Sequence, residues 1–168
     1  MNVNLANTIK KEFKDAFKSD PLMIFSPGRI NIIGEHTDYN DGFVFPAAVN
    51  KGIIAAISKS STDKSTVTAS DFNDTIKFSV NNIAPLKKES WGNYILGVIS
   101  EIQKKGKTVG NFNMVFGGDI PSGSGMSSSA ALENSVVFGL NELFDLGLSK
   151  TEMIFISQKA EHNYVGVK

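Results

Sequence analysis

Leu5, Ile9, Phe13 and Phe17 recur every four residues. That spacing predicts an amphipathic leading helix within residues 1–20, stopped at Ser19-Asp20-Pro21. Lys10, Lys11, Lys14 and Lys18 alternate with acids around it and read as its solvated face. Leu22 to Phe25 and Ile30 to Ile33 read as two extended segments parted by Pro27-Gly28, the second of them buried. Phe43 to Val49, interrupted by Pro46, and the β-branched and alanine run Gly52 to Ser58 read as further strands. The polar residues Lys59 to Ser65 predict a hairpin turn into Thr66–Ser70, and Asn73-Asp74 a second turn into Thr75–Val80. Trp91, Tyr94, Ile95, Val98, Ile99 and Ile102 stand at helical spacing, with Gly106 placed to end that helix. Phe112, Met114 and Phe116 alternate as a strand entering Gly117-Gly118-Asp119. A helix follows from about Ser127 to Phe144, apolar on most faces. Ser149 and Glu152 form a capping-box pattern that opens a last helix from about Lys150 to Asn163. With no repeat and no linker, the pattern is that of one α+β domain.

Composition removes several function classes. A chain of 168 residues, 41% apolar, is long enough for one buried core. Its 17 basic and 17 acidic residues balance to a formal charge of zero, so bulk electrostatics do not favour nucleic acid or an anionic membrane. Cysteine is absent, which removes disulfides and thiolate metal sites and suits a reducing, cytoplasmic setting. The first twenty residues lack a signal peptide's apolar core, and no apolar run approaches the ~20 residues of a membrane span.

Two stretches carry chemistry. SPGRINIIGEHTDYNDGFVFPAAV places Arg29, Glu35, His36, Asp38 and Asp41 against what reads as a buried strand. Such charges either cap a turn or converge on something bound. GGDIPSGSGMSSSAALENSVV turns a strand through Gly123-Ser124-Gly125 into a helix that opens on Ser127, Ser128 and Ser129. Glycines allow successive N–H groups to face one concavity, and a helix N-terminus adds partial positive charge. Hydroxyls at that end suit a polyphosphate and a hard cation such as Mg²⁺. The Walker pattern would need a lysine where Met126 stands, and the dinucleotide pattern a glycine where Ser128 stands. Serine is also simply a good helix cap.

These stretches resemble the GHMP small-molecule kinase family and, within it, the galactokinase group. Gly28, Arg29, Asn31, Gly34, Glu35, His36, Asp38, Tyr39 and Gly42 match the group's sugar signature. IPSGSGMSSSAALE resembles the family's phosphate motif, with Met126 in place of leucine, and WGNYILGV and QKAEHNYVGV match further segments in order. The resemblance implies the family's α+β N-terminal domain, similar to the second domain of a ribosomal protein, with a mixed sheet and a left-handed βαβ crossover. It implies ATP-dependent phosphorylation of galactose to galactose 1-phosphate, with ATP and Mg²⁺ as cofactors. Arg29 would then lie beside the reacting hydroxyl, and Glu35, His36 and Asp38 would hold the sugar. Pro121, Gly123, Ser124, Gly125, Met126, Ser127, Ser128, Ser129 and Ala130 would wrap the nucleotide phosphates. Ser129 and Glu161 would bind the metal, and Trp91 would line the adenine pocket.

Residues 1–168 are thus expected to form the N-terminal domain, with a leading helix at 1–20, the sugar signature at 21–49, and the strand, phosphate turn and helix at 112–145. The resemblance also implies a proton-accepting aspartate and a C-terminal domain beyond Lys168. The chain as given is therefore expected to be catalytically incomplete, with that domain as its intramolecular partner. A sensor of galactose and ATP, or a kinase for another sugar, are the competing readings. Purely structural roles also suit some of these residues. Trp91 heads an apolar stripe and suits a core, Glu161 alone would suit a solvated helix face, and Asp41 and His162 read as structural.

Overall fold

The computed structural model describes residues 1–34, 37, 40, 42–86, 90–121 and 123–166. Helix α1 (Val3–Phe17) is capped by Asn2, whose side chain accepts from the Leu5 N–H, and it ends at Lys18 in the left-handed conformation. Strands β1 (Leu22–Ile33), β2 (Phe45–Lys59), β3 (Ser65–Ala69), β4 (Asp74–Phe78) and β5 (Phe112–Gly118) form one mixed sheet in the order β1-β2-β5-β3-β4. Three helices complete the α+β domain: α2 (Gly92–Lys104), α3 (Ser128–Phe144) and α4 (Lys150–Ala160).

Burial on both faces explains the sheet's centre. Ile53, Ala55 and Ile57 of β2 and Phe112, Met114 and Phe116 of β5 pack into the large core under α2, α3 and α4. The alternate residues Ile54, Ala56 and Val115 meet Ile9 and Phe13 of α1 on the other face. Strands covered on both sides read as continuous apolar runs, which is what Gly52–Ser58 shows in the sequence.

The Lys59–Ser65 segment is not a hairpin. β2 and β3 do not pair, because β5 lies between them, antiparallel to β2 and parallel to β3. β5 is the most thoroughly buried strand, so it takes the central place. The turn at Asn73-Asp74 does form a hairpin, with β3 and β4 paired antiparallel and Asn73 left-handed. The proline and glycine breaks expected within residues 22–33 and 43–58 do not divide the strands. Pro27 pairs with Gly52 and Pro46 with Asn31, both on free edges, where a missing N–H costs no ladder bond.

Ile30 to Ile33, expected to be buried, is largely exposed. β5 joins β2 only from Ile53 onward, so Arg29–Ile33 and Phe45–Ala48 pair solely with each other. This two-stranded arm runs past the sheet and its helices, leaving Ile32 56%, Ile33 68% and Phe45 61% exposed. Among the described residues no helix is long and apolar enough to cross a membrane.

Candidate functional site

The chain leaves β5 through a root pinned by two carboxylates. Asp71 Oδ2 accepts the Gly118 N–H at 2.7 Å, and Asp119 Oδ1 accepts the Gly52 N–H at 2.8 Å. The turn that follows alternates conformations, with Gly123, Gly125 and Ser127 at positive φ (71°, 69° and 57°). Glycine adopts this region freely, and such alternation is the kind that turns successive backbone amides toward one side. The N–H groups of Gly125 to Ala130 donate to no acceptor among the described residues. With the N-terminus of α3 behind them, they offer the donors and the partial positive charge that an anion would take.

Ser127 precedes α3 but does not cap it. Its backbone is left-handed and its side chain makes no capping bond. The expectation that part of the serine run caps the helix therefore fails at this position, and the hydroxyl stays available. Ser129, one residue into α3, donates its Oγ hydrogen to Glu161 Oε1 at 2.8 Å. Glu161 begins a π-helical turn (Glu161–Val165) that closes with Gly166 N–H on the Glu161 carbonyl. Such turns often mark functional sites. Glu161 is thus neither isolated nor merely a solvated helix residue, whereas His162 is exposed.

Ser129 and Glu161 supply a hydroxyl and a carboxylate, both hard oxygen ligands of the kind Mg²⁺ takes. Among the described residues no group of three or more His, Cys, Asp or Glu side chains could hold a metal ion. A cation here would complete its shell with phosphate oxygens and water.

Beside the serines lies a cavity of about 260 Å³, lined by Trp91, Tyr94, Phe116, Asp71, Ser128 and Ser129 among others. Trp91 packs edge-on against Phe116, with ring centroids 5.3 Å apart, and its Nε1–H donates to Asp74 Oδ2 at 2.9 Å. It is therefore both an edge of the core and a wall of this cavity. Pro121, Gly123, Ser124 and Gly125 are exposed, while Met126, Ser127, Ser129 and Ala130 are half-buried.

Arg29 is half-buried on β1. Its backbone N–H donates to the Met126 carbonyl at 3.1 Å, joining β1 to the glycine-serine turn. Glu35, His36, Asp38 and Asp41 lie outside the described residues.

Sequence reasoning missed Glu133, one helical turn beyond Ser129. It is 1% exposed, and its Oε1 is buried without a hydrogen-bond partner. Burial first, then the negative charge of Glu161, raises its pKa to about 9, so it holds its proton at neutral pH. Tyr94 is raised as well, by burial and then by Glu161 and Glu133. A carboxylate set in the apolar first half of α3 was the available signal. Asp71 and Asp119 were also missed; Asp119 follows Gly117-Gly118 in the sequence, while nothing beside Asp71 marks it.

Residues 11–59 match the galactokinase galactose-binding signature, and residues 93–168 match the N-terminal domain of the GHMP kinases. A galactokinase of Clostridium tetani is 42% identical over 168 residues, an overlap of 99% of this chain and 43% of that protein. A Haemophilus influenzae galactokinase is 43% identical over 146 residues, 86% of this chain and 38% of that protein. The crystal structure of Lactococcus lactis galactokinase complexed with galactose superposes with a TM-score of 0.90 at 35% identity, covering 99% of this chain and 44% of that one. Methanococcus jannaschii mevalonate kinase shares the fold, with a TM-score of 0.76 at 18% identity, over 86% of this chain and 47% of that one. The chain spans less than half the length of these relatives.

Proposed function

Because the chain belongs to the GHMP kinases, in their galactokinase branch, we propose that its protein phosphorylates galactose to galactose 1-phosphate at the expense of ATP. The observation that carries this reading is the bond from Ser129 to Glu161, set beside the N–H groups of Gly125 to Ala130, which find no acceptor among the described residues. The amides and the α3 N-terminus hold the β- and γ-phosphates. Ser129 and Glu161 hold Mg²⁺, which when bound neutralises charge on the phosphates. The cavity walled by Trp91 and Phe116 takes the adenine end of the nucleotide.

Arg29 faces the anomeric hydroxyl and stabilises the negative charge that builds as the phosphoryl group moves. Glu35, His36 and Asp38 fix the remaining sugar hydroxyls. Carboxylates at set positions separate hexose stereoisomers, because a misplaced hydroxyl leaves a buried polar group unpaired. The hydroxyl proton leaves to an acceptor that the family resemblance puts beyond residue 168, and the domain there is the partner of this one. A cytoplasmic location, where ATP is available, belongs to the same proposal.

The test incubates the protein, as its gene encodes it, with ATP, Mg²⁺ and a panel of hexoses, and follows sugar phosphate by mass spectrometry. Galactose 1-phosphate as the dominant product supports the proposal. Faster turnover of another hexose overturns the specificity. Binding of galactose and ATP without product overturns the kinase assignment in favour of a sensing module.

A further inference from the structure

Gly28 sits at an irregularity in the β1–β2 ladder. Between the pairs Pro27–Gly52 and Arg29–Ala48, β2 advances four positions while β1 advances two. The glycine is buried. A Cβ placed on it would stand 2.8 Å from the Met126 carbonyl oxygen, 3.1 Å from Ile120 Cδ1 and 3.4 Å from Val49 Cγ2. The first contact is with backbone, which has no rotamer by which to move aside. The next residue, Arg29, donates its N–H to that same Met126 oxygen at 3.1 Å. Met126 in turn lies between Gly125 and Ser127, both left-handed. One carbonyl, oriented by the phosphate turn, thus abuts Gly28 and anchors the backbone of Arg29.

Accepting the sugar and phosphate sites described above, we propose that Gly28 is a positioning residue that couples them. Its missing side chain lets the Met126 carbonyl set the backbone of Arg29. An anion that orders the turn then orders the arginine that meets the sugar. By linkage, the sugar tightens binding of the anion by the same factor. The Met126 oxygen and the Arg29 N–H are both main-chain atoms, so this coupling travels through the backbone.

The test uses the protein as its gene encodes it. Galactose is titrated by calorimetry with and without saturating Mg²⁺ and a non-hydrolysable ATP analogue, and the analogue is titrated with and without galactose. The expected result is galactose binding about fivefold tighter or more with the analogue present, and the same factor in the reverse order. In Gly28→Ala the added methyl displaces the turn, and the factor falls to within about twofold of unity. Hydrogen exchange on the unaltered protein adds a measurement that needs no variant. The Arg29 amide should exchange more slowly when the analogue alone is added.

Independent binding of the two ligands overturns the coupling. So does a wild-type factor in a folded Gly28→Ala protein, or an Arg29 amide whose exchange the analogue leaves unchanged. If Gly28→Ala does not fold, the titrations and exchange on the unaltered protein decide. Failure of both ligands to bind at all would instead overturn the functional reading on which this inference rests.

Discussion

Replacing Glu133 by glutamine should change how stability depends on pH. In the folded chain burial and the charge of Glu161 raise the Glu133 pKa from 4.5 to about 9. The native state therefore keeps a proton that the unfolded state releases above pH 4.5. The sign follows from linkage. The contribution of this group is fully present below about pH 4.5 and is lost as pH rises toward 9, at about 1.4 kcal/mol per pH unit. Between pH 5.5 and 8.5 the loss is on the order of 4 kcal/mol. Glutamine has nearly the same shape and cannot ionise, so Glu133→Gln should not show this loss. Its buried amide costs something at every pH, and that cost cancels in the comparison. The assay is urea unfolding of both proteins at pH 5.5 and 8.5, comparing their changes in stability. Curves that run parallel between the two pH values would refute the buried, protonated carboxyl.

Other outcomes follow from the same geometry. The Glu152 carboxylate accepts from the Ser149 backbone N–H and hydroxyl and from Lys105, which lowers its pKa to about 2. That contribution is present above pH 4.5 and is lost as pH falls toward 2, so thermal melts of wild type and Glu152→Gln should converge there. Removing the α4 cap with Ser149→Ala should cost about 1 kcal/mol in urea unfolding. Ser129→Ala should weaken binding of the Mg²⁺-loaded ATP analogue about tenfold or more while leaving galactose titrations far less affected, and equal effects on both ligands in calorimetry would remove its cation role. The exposed arm should drive self-association of this 168-residue chain. Light scattering should report smaller species for Ile33→Ser with Phe45→Ser, and unchanged mass would place the contact elsewhere.

What the sequence disclosed, and what it hid, divides by the range of the interactions. The helices were legible because their apolar residues recur at helical spacing within one short segment, and the capping box of α4 is a contact between residues three apart. The glycine-serine turn was legible because Gly123 and Gly125 meet a local demand for positive φ. The strand order was not, because nothing near Lys59 records that a strand more than fifty residues later will enter between β2 and β3. Ile30 to Ile33 reads the same whether a core or only its own hairpin partner lies beside it, so its exposure was hidden too. Ser129 and Glu161 were joined in advance only by the family resemblance, and the 2.8 Å bond now gives that pairing a geometry. Gly28 and Met126 mark the harder limit, because their contact is made by a backbone oxygen and a missing methyl. A pattern of side chains has no symbol for either, yet this contact brings the strand of Arg29 and the glycine-serine turn together.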